Sequence, residues 1–208
     1  SYEYYFVVSD NSTFRMNHSE LHESGWGVGG GRSVGLIINS DDAIVENSLI
    51  SNNWVGIMCY WASPIIRNNN ISSNANTGIC LGNSNATIEG NHLENNDGAD
   101  AILLMGSSPI IRANTITGNN GVGIRCIDYS NPTILSNIIT NNAWYGIECG
   151  THSSPTIQGN NISLNGGVGV YCWNYSSPTI SNNVITNNDG HGIQCDDHSN
   201  PTIEDNII

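Results

Sequence analysis

The sequence predicts an all-β chain wound as a single-stranded parallel β-helix, with about 23 residues and three short strands per coil. Two observations carry this. A proline recurs at Pro109, Pro132, Pro155, Pro178 and Pro201, each 23 residues after the last. Within each unit, as in PTIQGNNISLNGGVGVYCWNYSS (residues 155–177), the apolar pieces are short and bounded by Asn, Gly or Ser. A fixed period of this length marks a solenoid or a repeat array. Apolar runs of this length between turn residues are strands rather than helices.

Alternation within each piece then assigns the faces, because neighbouring side chains of a strand point to opposite sides. One inward row is expected through Ile57, Ile79, Ala101, Ile124, Ile147, Val170 and Ile193. A second runs through Cys59, Leu81, Leu103, Cys126, Cys149, Cys172 and Cys195. A third follows the Ile of each Pro-Thr-Ile from Val45 to Ile203, and a fourth runs from Ile50 to Ile208. No single coil buries these residues, but stacked coils do.

The asparagines also fall in rows. One runs from Asn69 through Asn114, Asn137 and Asn160 to Asn206, the other from Asn53 through Asn119 and Asn142 to Asn188. Asn tolerates left-handed backbone and bonds nearby backbone in turns, and amides stacked in register can bond the amide of the next layer. A glycine row (Gly56, Gly78, Gly123, Gly146, Gly169, Gly192) marks a corner needing positive φ or close backbone approach.

These stacked Asn turns resemble those of the right-handed β-helix repeats of the pectate-lyase-like superfamily, over about residues 33–208. The resemblance implies a right-handed coil. It does not carry an activity with it, since one fold hosts many functions.

Residues 1–41 are expected to form an irregular first coil with a Gly-rich insertion, and 42–208 the regular coils of one continuous domain. Aligning Ser12-Thr13-Phe14 with the later Pro-Thr-Ile puts Asn17 on an Asn row and Tyr4 and Phe6 on inward rows. The stretch NHSELHE (17–23) reads as one helical turn capped by Asn17, with His18 and His22 on one face. Nothing else completes a metal site there, so neither a metal nor a cofactor is expected.

Composition narrows the partners. The chain has no Lys, five Arg and 18 acidic residues, for a net charge of -13. That opposes nucleic acid, whose phosphates must be neutralised, and anionic membrane surfaces. No stretch is long and apolar enough to span a bilayer. Richness in Asn, Ser, Thr and Gly with little charge fits an extracellular or cell-surface protein. The cysteines of the second inward row lie one strand spacing apart with parallel Cβ vectors, so free buried thiols are expected rather than disulfides. Cys80, out of phase with that row, is expected to be exposed.

Three surfaces offer function. Met58, Cys80 and Ile102 occupy the outward slot of the "GIxC" strand, and with Trp54 they predict an apolar interface patch. Just before five of the six prolines stand Trp61, Tyr129, His152, Tyr175 and His198, an aromatic rank suited to a polysaccharide. The last residue, Ile208, lies on an inward row, and the phases of Ser1 and Ile208 nearly match. End-to-end self-association into filaments is therefore expected. For catalysis, Glu148 and Asp128 are the carboxylates placed to meet the spacing that glycoside hydrolysis needs. The leading expectation is an extracellular structural or binding scaffold. A polysaccharide-active hydrolase, lyase or epimerase is the alternative.

Overall fold

The computed structural model describes residues 6–23 and 34–208. Over these residues the chain is all strand and turn, wound into three parallel sheets of nine, nine and eight strands. The first sheet runs from Phe6–Val8 to Ile193–Cys195, the second from Phe14–Asn17 to Thr202–Glu204, and the third from Glu20–His22 to Val184–Thr186. Each strand pairs with the strand one coil away, as Thr156–Gln158 does with Thr133–Leu135 and Thr179–Ser181. This is the three-strand coil that the repeat predicts.

The packing follows from the alternation. In Thr156–Gln158 only Ile157 is buried, and it stacks between Ile134 and Ile180. Burying an Ile side chain contributes roughly 1.5–3 kcal/mol. The columns from Val45 to Ile180 and from Ile50 to Ile185 are buried throughout, forming one core along the axis.

Three polar ladders fix the corners. Asn137 illustrates the first: its Nδ2 donates to Asn160 Oδ1 (3.0 Å) and to Ile111 O (3.0 Å), and its Oδ1 accepts from Asn114 N (2.9 Å). Asn142 plays the same part in the second ladder. A third ladder, which the repeat analysis did not single out, is made of serine: Ser84, Ser107, Ser130 and Ser153 each donate a backbone N–H to the Oγ of the next serine. Where the first Asn row ends, serine continues it, with Ser19 N bonded to Ser48 Oγ and Ser48 N to Asn69 Oδ1. The buried asparagines and serines of these ladders are thus paired, as burial requires.

Three expectations about register and local structure are corrected. The first concerns the coil before Pro109. Ile79 pairs with Ile102 and Leu81 with Leu104, so Ile102 and Leu104 point inward, Leu103 points outward, and Ala101 takes the glycine slot. The turn from Asn96 to Ala101 holds one residue more than the turn from Asn119 to Gly123, and the next corner has one fewer, so the 23-residue period hides the shift. The second concerns the start of the chain. Met16, not Phe14, pairs with Val45, and Val8 rather than Phe6 is buried. Asn17 sits beside Asn47, not on the ladder. The third is the helical turn: Glu20–His22 is a strand paired with Leu49–Ser51, because Leu21 fills the column of Ile50. Tyr4 and the glycine run lie outside the described residues.

All six cysteines are free, and Cys59, Cys126, Cys149 and Cys172 are buried on the inner face as expected, whereas Cys195 of the same row is exposed. Cys80 is a correction: it points away from the core but is covered to 4% exposure. Burial pushes its thiol up to about 11, and the charge of Asp100 adds to this.

Candidate functional site

The outer face of the first sheet carries one column read off the register: Met58, Cys80, Leu103, Arg125, Glu148, Tyr171 and Gln194. Its middle is charged. Arg125 Nε lies 3.0 Å from Glu148 Oε2, and Arg125 Nη2 lies 3.2 Å from Asp100 Oδ1. Trp173 Nε1 donates to Glu148 Oε1 at 2.9 Å, with its indole lying over Gly150, where any side chain would collide with it. The carboxylate that joins Glu148 is therefore Asp100, brought in by the shifted register. Asp128 instead occupies an exposed corner with φ 57°.

Asp100 is only 2% exposed. Burial pushes its carboxyl up to about 6 against the pull of Arg125, with the charge of Glu148 adding to the rise. A raised acid favours the folded state while protonated. Its contribution is complete below the unfolded value near 3.8 and is lost as pH rises through about 6. Asp100→Asn should remove this dependence. The stability difference between variant and parent should shift by about 1–3 kcal/mol in the variant's favour between pH 4 and 7. Urea unfolding at those pH values checks this, and a constant difference would contradict it. At 2% exposure Asp100 is shielded from a polymer lying on the surface.

Burial pushes the Tyr171 hydroxyl up to about 12, and its bond to Asp196 acts in the same direction. Its ring lies 5.0 Å from that of Tyr145, which in turn meets Trp144 edge-on at 6.2 Å. The repeat analysis missed this cluster because Trp144 stands where other copies carry glycine (Gly121, Gly167, Gly190), and Tyr145 where two of them carry Val122 and Val168.

The apolar patch expected beside it is smaller than the sequence implies. Ile102 is in the core at 0% exposure and Cys80 is covered, while Trp54 and Met58 are half-buried. Ile208 is exposed at the last strand edge.

The aromatic rank comes together as a stack. Ring centroids are 5.0 Å apart for Tyr129 and His152, 5.3 Å for His152 and Tyr175, and 5.0 Å for Tyr175 and His198. The planes tilt by 6°, 11° and 21°. Local backbone dictates this. All four residues have φ of 61–63°, in the left-handed region, which costs a non-glycine residue roughly 1–2 kcal/mol. The serine following each of the first three rings is a rung of the third ladder, so every ring leaves its corner at the same angle. Trp61, 77% exposed, stands apart from the stack, because Asn83 and Gly106 hold the corners between it and Tyr129.

Comparisons with known proteins agree with this geometry. A family profile described as "Right handed beta helix region" matches residues 34–185 and 145–208. The chain belongs to this family. No curated protein sequence matches it. Among solved structures, this right-handed β-helix is similar to the A-module of the Azotobacter vinelandii mannuronan C-5 epimerase AlgE4, at 18% identity and a TM-score of 0.69. The match covers 86% of this chain and 65% of that one, and at this identity it speaks for the fold alone. ORF18 of Geobacillus virus E2 matches at 12% identity over 97% of this chain and 49% of that one, with a TM-score of 0.41.

Proposed function

We propose that this right-handed β-helix is a non-catalytic scaffold that contacts polysaccharide outside the cell. One observation carries the reading: the ring column at the serine corner. Tyr129 and Tyr175 are exposed at 66% and 53% although the residue after each is a ladder serine that anchors the corner. Rigid exposed rings offer amphipathic contact area at little entropic cost. The carboxylates on the neighbouring sheet face support binding over turnover, since Asp100 is covered and Glu148 is engaged by Arg125 and Trp173. Stacking of copies end to end belongs to the same proposal.

A second reading, a polysaccharide-active enzyme, is favoured only by the Asp100–Arg125–Glu148 cluster, in which Arg125 joins two carboxyls and burial raises that of Asp100. A glycan array, combined with product analysis on neutral and uronic-acid polymers, tests both. Binding without turnover is expected. Turnover lost in Glu148→Gln would establish the enzyme instead. Sedimentation of the same preparation reads the stacking, and a monomer at all concentrations would remove that part.

A further inference from the structure

We infer that the glycan seat is the outer ring face of Tyr129, at the level of Gly106, and that its ligand is an uncharged or amine-bearing pyranose rather than a uronate. This rests on the polysaccharide reading above and gives it a place and a chemical class.

The place follows from the stack. His152 and Tyr175 have a ring on each face, so neither has a face left for a sugar. Tyr129 is different. One face meets His152, and the other looks along the axis toward the preceding coil. That coil lies directly against it, with Gly106 N bonded to Ile127 O at 3.3 Å. Its corner is one residue shorter: Gly106 stands opposite Asp128 and Ser107 opposite Ser130, so no residue stands opposite Tyr129. A flat ring laid there at the spacing of the stack would continue the column by one step.

The slot also has a polar lining. Asn83 Oδ1 lies 2.9 Å from where a Cβ on Gly106 would stand, so an amide oxygen is available to a sugar hydroxyl. Apolar ring face below and hydrogen-bond acceptor beside it match the two kinds of surface on a pyranose.

The class follows from charge. The chain has no Lys. Among the described residues every arginine is already paired: Arg15 and Arg67 close on Glu46, Arg112 on Glu89, and Arg125 on Asp100 and Glu148. The residue beside the platform is Asp128, exposed. A uronate carboxylate arriving at Tyr129 meets like charge and, among the described residues, no unpaired arginine, on a chain of net charge -13. A neutral sugar is not opposed, and an ammonium-bearing sugar is attracted.

Titration calorimetry and saturation-transfer NMR at low ionic strength test this with three probes: cello-oligosaccharides, chitosan oligomers and oligomannuronate. The first two should bind and the third should not. Tyr129→Ala should weaken binding by about tenfold or more, Tyr129→Phe should retain it, and Tyr175→Ala should change it less than about threefold. Circular dichroism confirms that each variant is folded. Oligomannuronate binding as well as the neutral probe, with or without added calcium, would overturn the class. Unchanged binding in folded Tyr129→Ala would overturn the seat while leaving the polysaccharide reading intact. No binding of any glycan by the parent would remove that reading, and this inference with it.

Discussion

Replacing Asn137 with leucine should destabilise the protein by about 3–5 kcal/mol, more than a typical surface substitution by an order of magnitude. The side chain has the same branching and number of heavy atoms, and its bulkier methyl groups add only to a loss that is mainly one of hydrogen bonds. Asn137 is 1% exposed and supplies two donors and an acceptor. Leucine leaves Ile111 O without the amide that bonds it and Asn114 N without its acceptor, each buried where water does not reach. An orphaned buried group costs ~1–3 kcal/mol. Because coils interact only with their neighbours, a break in the middle also weakens coupling between the two halves. Denaturant unfolding should therefore show a lower midpoint together with a shallower slope. Asn187→Gly is the control: Asn187 is exposed with φ 56°, a conformation glycine adopts freely, so its effect should be within about 0.5 kcal/mol. A loss below 1 kcal/mol for Asn137→Leu would mean that the ladder is decoration.

Gly146→Ala should cost about 2–4 kcal/mol although it adds one methyl group. A Cβ at this position would stand 2.4 Å from Ile162 Cγ2 and 2.7 Å from Gly169 O. One of these is a stiff core side chain and the other is backbone, so neither yields cheaply. Gly146 does not have positive φ, so this row needs glycine for close approach between coils. Ala101 occupies the same row naturally, in the coil whose preceding turn is one residue longer. Ala101→Gly should accordingly change stability by no more than ~1 kcal/mol. Thermal unfolding of the two variants side by side makes the comparison, and equal effects would contradict it.

The architecture was legible because identical side chains must superpose in a solenoid. Ile134, Ile157 and Ile180 announce a column, and Asn114, Asn137 and Asn160 announce a ladder. The charged cluster was less legible. A one-residue excess before Ala101, cancelled before Pro109, left the period intact while swapping the faces of Ile102 and Leu103. The same shift hid Asp100, which alternation alone had no reason to place near Arg125 and Glu148. The aromatic rank was visible as a row, but which ring faces remain open depends on ring orientation. That orientation is set by left-handed corners that spacing does not report. The first coil misled for another reason. Its polar residues fit a helix cap, and only the demand of Ile50 for a covering neighbour makes Leu21 part of a strand.

The ladders have a consequence for how such a molecule changes size. Since each rung joins a residue to its counterpart 23 positions on, the polypeptide behaves as a stack of interchangeable plates. Excising one whole plate, such as residues 133–155, returns every surviving partner to an equivalent one and shortens the body by ~4.8 Å. Excising one residue more or fewer sets like against unlike across the seam. Length is therefore quantised, and it can drift in evolution by whole plates without the fold being invented again.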